Sequence, residues 1–144
     1  MDIHHAMIVR SPSSRLYEAL IQPRDLEVWM DAPAIGQPEV GTILEFRYDQ
    51  GQRILKMEVV RLERGKQVQW RVIEPIWPTN LTEQIITWTL IPHESSTLVD
   101  FRMAGWQQDD DIYASVSYKW ASFMMRLKIY IGDTREIATL HMDR

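Results

Sequence analysis

A chain of 144 residues, 45% hydrophobic and 25% charged, can bury a sizeable core without a disulfide or metal staple. Its formal charge of -4, from 16 Lys and Arg against 20 Asp and Glu, excludes the clustered basic surface on which nucleic-acid and anionic-membrane binding rest. The absence of cysteine excludes disulfides, thiol nucleophiles and thiolate metal sites, and the six tryptophans are the outlier of the composition.

The N-terminus Met1-Asp2-Ile3-His4-His5-Ala6 has no basic segment followed by an apolar run, and no stretch approaches the ~20 apolar residues of a membrane span, so a cytoplasmic location is expected. A strand is predicted over residues 3–10. Ser11-Pro12-Ser13-Ser14 reads as a helix start, with Ser11 as the cap, Pro12 at the first helical position and Leu16, Tyr17, Ala19 and Leu20 on the apolar face. Pro23 interrupts that helix, and residues 24–30 read as a second short one that ends before Asp31-Ala32-Pro33.

From Gly41 the hydrophobic period becomes two, the mark of strands buried on one face. Leu44, Phe46 and Tyr48 share one side of a strand over residues 43–48, with Glu45 and Arg47 on the other. The turn Asp49-Gln50-Gly51 leads to a strand over 54–62, where Leu55, Met57 and Val59 alternate with Lys56 and Glu58. After the turn Glu63-Arg64-Gly65-Lys66, residues 67–73 place Val68, Trp70 and Val72 on the dry face. Past the loop Pro75-Ile76-Trp77-Pro78, strands are predicted over 82–91 (Ile86, Trp88, Leu90) and 97–104 (Val99, Phe101, Met103), completing a meander of hairpins. The sequon Asn80-Leu81-Thr82 has no secretory context and reads as coincidence.

A long helix follows, from near Asp109-Asp110-Asp111, whose negative charge suits a helix start, to the natural stop at Gly132. Its inner stripe is Tyr113, Val116, Trp120, Phe123, Met124, Leu127 and Ile131, widened by Tyr118, Ala121, Met125 and Ile129. Ser115, Lys119, Ser122 and Arg126 form its polar arc. A helix with so wide an apolar girth requires cover on more than one side, from the sheet and from the short helices or a second copy, so a homodimer is a further expectation.

The order of these elements, with Ser11-Pro12 before Leu16-Tyr17-Glu18-Ala19-Leu20, Leu26 with Trp29, Gly41 before the first strand of the meander, Gly105-Trp106, and finally Trp120, Leu127, Tyr130 and Gly132, resembles the activator of heat shock protein ninety ATPase homologue family. That family is a branch of the START-like, or SRPBCC, helix-grip superfamily, with the lipid-transfer domains, polyketide cyclases and birch-pollen allergen. The resemblance spans nearly the whole chain. Arg102-Met103 stands where many relatives carry Thr-His, and Thr42 follows Gly41 where many carry a second glycine, so no role of that histidine is carried over. The resemblance implies an α+β helix-grip fold: a curved antiparallel sheet, two short helices and one long C-terminal helix enclosing a cavity. A single START-like domain over residues 1–144 is expected.

The aromatic and methionine side chains that alternation or helical spacing turns inward make the candidate cavity wall: Trp29, Phe46, Tyr48, Met57, Trp70, Trp88, Phe101, Met103, Tyr113, Trp120 and Met124. The same pattern also describes an ordinary core. The histidines at 4, 5, 93 and 141 lack the spacing of a zinc pair, and the acidic run at 109–111 lacks the alternating ligands of a calcium loop, so no metal or cofactor is expected. No nucleophile elbow, phosphate loop or dinucleotide fingerprint is present. Acid–base chemistry would draw on Glu58, Glu83, Tyr48 or Tyr113, of which Glu58 falls on the wet face. The expected function is therefore to bind or carry a small hydrophobic molecule, with no nucleic-acid partner. The rival readings are a cyclase or dehydratase using the same pocket and, last, an interaction module like the chaperone-ATPase activators.

Overall fold

The computed structural model describes residues 2–77, 83–107 and 110–134. Its elements are β1 (Ile3–Val9), α1 (Ser13–Ile21), α2 (Pro23–Trp29), β2 (Ala34–Ile35), β3 (Ile43–Tyr48), a 3-10 turn at Asp49–Gly51, β4 (Arg53–Glu63), β5 (Gln67–Glu74), β6 (Ile85–His93), β7 (Ser96–Ala104) and α3 (Asp111–Ile131). The strands form one curved antiparallel sheet in the order β1-β7-β6-β5-β4-β3-β2. Hairpins join β3 through β5 and β6 to β7, while α1 and α2 carry the chain from one edge strand, β1, to the other, β2. Two register shifts in β4, at Lys56/Met57 and Val59/Arg61, mark irregularities of the kind that bend a strand.

Alternation determines which side is dry. Leu44, Phe46, Leu55, Met57, Val59, Val68, Trp70, Val72, Ile86, Trp88, Leu90, Val99, Phe101 and Met103 are all buried. The opposite face carries ion pairs instead, among them Glu45 with Arg47 at 2.6 Å and Arg71 bridging Glu58 and Glu83. The concave apolar face is closed by α1, which lies against β5 and β6, and by α3, which lies against β1 and α2.

The long helix starts where its charge says it should. Asp110 is the N-cap, its carboxylate accepting from the Tyr113 N–H at 3.0 Å, and Asp111 sits in the first turn; Asp109 lies outside the described residues. Gly132 ends the helix at φ 104°, a left-handed conformation that favours glycine. Gly105 is under a double constraint, with φ at +100° and a Cβ there coming within 3.2 Å of the Gln84 backbone and side chain.

Four details differ from the sequence expectation. Ser11 does not cap α1: Pro12 holds the N-cap position without a side-chain bond, because Ser11 is buried a residue earlier, its carbonyl accepting from Thr97 Oγ1 at 2.8 Å. The strand expected over 82–91 is β6, ending at His93; Thr82 and the sequon lie outside the described residues. The two-residue β2 is new, since alternation cannot show in so short a strand. Tyr118 and Ile129, expected to widen the buried stripe of α3, are exposed, Tyr118 by 76%, because nothing described packs over that side of the helix. No helix among the described residues is long and apolar enough to cross a membrane.

Candidate functional site

Helical spacing builds one wall of the site. On the first half of α3, Ile112, Val116, Trp120 and Phe123 make an apolar row, and Asp111, Ser115 and Lys119 make a polar row beside it, each row recurring every three or four residues. Facing these rows are Tyr48 at the end of β3, Arg53 and Leu55 at the start of β4, and Ile76 and Trp77 just after β5. Helix and strands stand apart here, leaving a cleft of about 470 Å³ that is open to solvent on one side. That volume is in the range of small-molecule sites, and most of the lining is apolar.

The polar groups of the cleft are few and differ in how they are held. The Tyr48 hydroxyl donates to the Met30 carbonyl at 2.9 Å; burial first, and the nearby Asp31 charge second, push its pKa well above the ordinary tyrosine value, so it stays a protonated structural donor. Arg53 pairs with Asp49 at 2.6 Å, both largely exposed. Lys119 has its ammonium 5.1 Å from the centre of the Phe123 ring and no ion pair among the described residues. The Trp77 indole N–H is buried, with no acceptor among the described residues.

Of the eleven candidate wall residues, Tyr48 and Trp120 line this cleft. Trp29, Phe46, Met57, Trp70, Trp88, Phe101, Met103 and Met124 are packed in the core instead. Ring centroids lie 4.9 Å apart for Trp88 and Phe101, 5.2 Å for Phe101 and Trp120, 5.8 Å for Trp70 and Trp88, and 5.9 Å for Trp29 and Trp88, so the middle of the grip is filled by a continuous aromatic mesh. Trp29 places its N–H on the Ala19 carbonyl at 2.8 Å. Tyr113 sits edge-on to Trp106 at 5.5 Å and donates to the Asp2 carbonyl at 2.9 Å.

The acid–base candidates are dispersed. Glu58 and Glu83 both pair with Arg71, and Tyr113 is tied to Asp2. Among the described histidines, His4 bonds Asp100 at 2.6 Å, His5 reaches the Ser117 carbonyl at 3.0 Å, and His93 ends β6 in solvent; His141 lies outside the described residues. No group of three or more acidic or histidine side chains that could hold a metal is found among the described residues. Sequence reasoning did not select Ile76, Trp77 or Arg53, since an irregular loop and a strand end have no periodicity to read. Ile112 was not selected either; for Leu55, Val116 and Phe123 periodicity gave the inward direction, and the structure shows that they line the cleft.

Residues 10–132 match the family model described as Activator of Hsp90 ATPase homolog 1-like protein. None of the curated proteins matches this chain in sequence. The fold is similar to that of the Aha1 dimer from Colwellia psychrerythraea solved in solution, at 25% identity and TM-score 0.77, covering 89% of this chain and 93% of that one. It is similar to a crystal structure from Mesorhizobium loti at 22% identity and TM-score 0.80, covering 93% and 98%. It also resembles CalU16 from Micromonospora echinospora at 14% identity and TM-score 0.74, covering 92% and 74%.

Proposed function

The chain belongs to the Activator of Hsp90 ATPase homolog 1-like family, and from that premise we propose that it binds a small hydrophobic molecule in the cleft between the first half of α3 and the β3–β4 hairpin. The observation that carries this reading is the apolar cleft of about 470 Å³ walled by Leu55, Ile76, Val116, Trp120 and Phe123. Removing apolar ligand surface from water there supplies the affinity, at about 25 cal/mol per Å² before the costs of association. Trp120 belongs both to the cleft wall and to the aromatic mesh, so a ligand would rest against a rigid backing.

The cyclase reading draws less support, because among the described residues the only carboxylate of the lining is Asp111, in the first turn of α3, and the Tyr48 proton is already engaged. A single domain, a cytoplasmic location and a homodimer belong to the same proposal. The homodimer is favoured by the dimeric Colwellia structure and by the exposed Tyr118 and Ile129, and Tyr118→Lys should leave a monomer in sedimentation if that face is used. The test of binding is titration with N-phenyl-1-naphthylamine, a neutral apolar fluorophore. We expect saturable enhancement at one site per chain, with energy transfer from tryptophan, and competition by other apolar molecules. No saturable binding by this probe or by an apolar panel would overturn the reading.

A further inference from the structure

The cleft combines a mostly apolar lining with two exposed cations. Lys119 on α3 and Arg53 on β4 both line it, and among the described residues Asp111 is the one lining carboxylate. Asp111 stands in the first turn of α3, where the positive end of the helix dipole already offsets its charge. Arg53 is drawn to Asp49, which does not line the cleft, whereas Lys119 has only the Phe123 ring beneath it among the described residues. An ammonium held over an aromatic wall without a carboxylate is a cation available to an incoming anion. The buried indole N–H of Trp77 adds a third donor on the same lining. Among the described residues these donors face one lining carboxylate, Asp111, across a mostly apolar cleft that also holds the Ser115 and Tyr48 hydroxyls.

We propose that the molecule held here is an amphipath, an apolar body lying on Leu55, Val116 and Phe123 with an anionic, oxygen-bearing end set against Lys119 and Arg53. The inference rests on the ligand-binding reading and adds to it the chemical class of the ligand. Both cations are at the rim, so the anion lies near solvent and its attraction is screened by salt. The edge thus sets the orientation of the ligand, and the apolar floor supplies most of its affinity.

Two fluorophores with the same aromatic body separate these terms: N-phenyl-1-naphthylamine, which is neutral, and 1-anilinonaphthalene-8-sulfonate, which carries a sulfonate. In the double variant Lys119→Gln with Arg53→Gln, sulfonate affinity should fall roughly fivefold while affinity for the neutral probe stays within about twofold. Sulfonate binding to the unaltered protein should also weaken between low and high salt, and neutral-probe binding should not. A control variant, Arg102→Gln on another surface, should change neither. If the neutral probe binds but sulfonate affinity is unchanged in the double variant, the inference is overturned and the cleft reading stands. If both affinities fall in parallel, the two cations shape the cleft and do not recognise an anion, which also overturns it. If neither probe binds the unaltered protein, the cleft reading fails and the inference with it. Thermal melts of the variants, whose altered side chains are exposed, verify that the fold is retained.

Discussion

The two halves of α3 meet the rest of the molecule differently. In the second half, Arg126 donates from Nε to the Trp29 carbonyl at 3.0 Å and from Nη2 to the Val28 carbonyl at 3.1 Å, fastening the helix to the last turn of α2. Lys128, although charged, is almost wholly buried and donates to the Ile8 carbonyl at 3.0 Å. Met124 and Leu127 are buried between these ties. In the first half the named ties run to the N-terminal strand region, from Tyr113 to Asp2 and from His5 to Ser117, and the side facing β3 and β4 is left open. One helix therefore serves as a clamp at one end and as the wall of a cleft at the other, with Trp120 at the boundary. The same amphipathic spacing produces both; what differs is whether another element comes close enough to cover it.

That contrast can be broken from either side. The largest effect should come from the filled half: Trp88→Ala opens a hole among Trp29, Trp70, Phe101 and Trp120 and should cost about 3–5 kcal/mol, read as a lower urea midpoint. Arg126→Ala removes the fastening of α3 to α2 and leaves two carbonyls to find water, so about 1–2 kcal/mol should be lost in the same assay.

The open half should respond in binding and not in stability. Ser115→Trp, at an exposed position on the rim, should fill the cleft and reduce affinity for N-phenyl-1-naphthylamine at least about tenfold, while changing stability by no more than about 0.5 kcal/mol. A large loss of stability in that variant would show that this end of α3 is packed like the other.

Tyr48→Phe is the subtlest, removing one hydrogen bond to Met30 at a cost of about 0.5–1.5 kcal/mol. It also carries a pH signature. Because burial raises the folded-state pKa of Tyr48 above the ordinary 10.0, its contribution is complete below that value and is lost as pH rises above it. The unaltered protein should therefore lose stability above about pH 10 more steeply than the Phe variant. Tyr17 and Tyr130, also raised, by burial and by the hydrogen bond to Asp25 respectively, contribute to the slope of both proteins.

Strand alternation made the concave face legible in the sequence, since period two leaves no choice about which of Val68, Gln69 and Trp70 turns inward. The ends of α3 were legible too, because charge and glycine act locally at helix termini. The cap of α1 was not, since the bond from Thr97 to the Ser11 carbonyl is a long-range fact. The cleft was half legible for a related reason. Periodicity says which way Phe46 and Phe123 point, but the volume in front of each depends on how far apart two elements stand, and no local pattern encodes that distance. Phe46, expected in the cavity wall, meets packed neighbours, whereas Phe123, expected only in the inner stripe of α3, lines the cleft.

The measurement closest to the central claim is amide and indole chemical-shift mapping of the nitrogen-labelled protein during titration with N-phenyl-1-naphthylamine. The account predicts saturable shifts at Leu55, Ile76, Val116, Phe123 and the Trp120 indole, with the Trp29 indole, bonded to Ala19 in the filled half, left in place. Shifts confined to the outer face around Tyr118, or no saturable shifts at all, would contradict it.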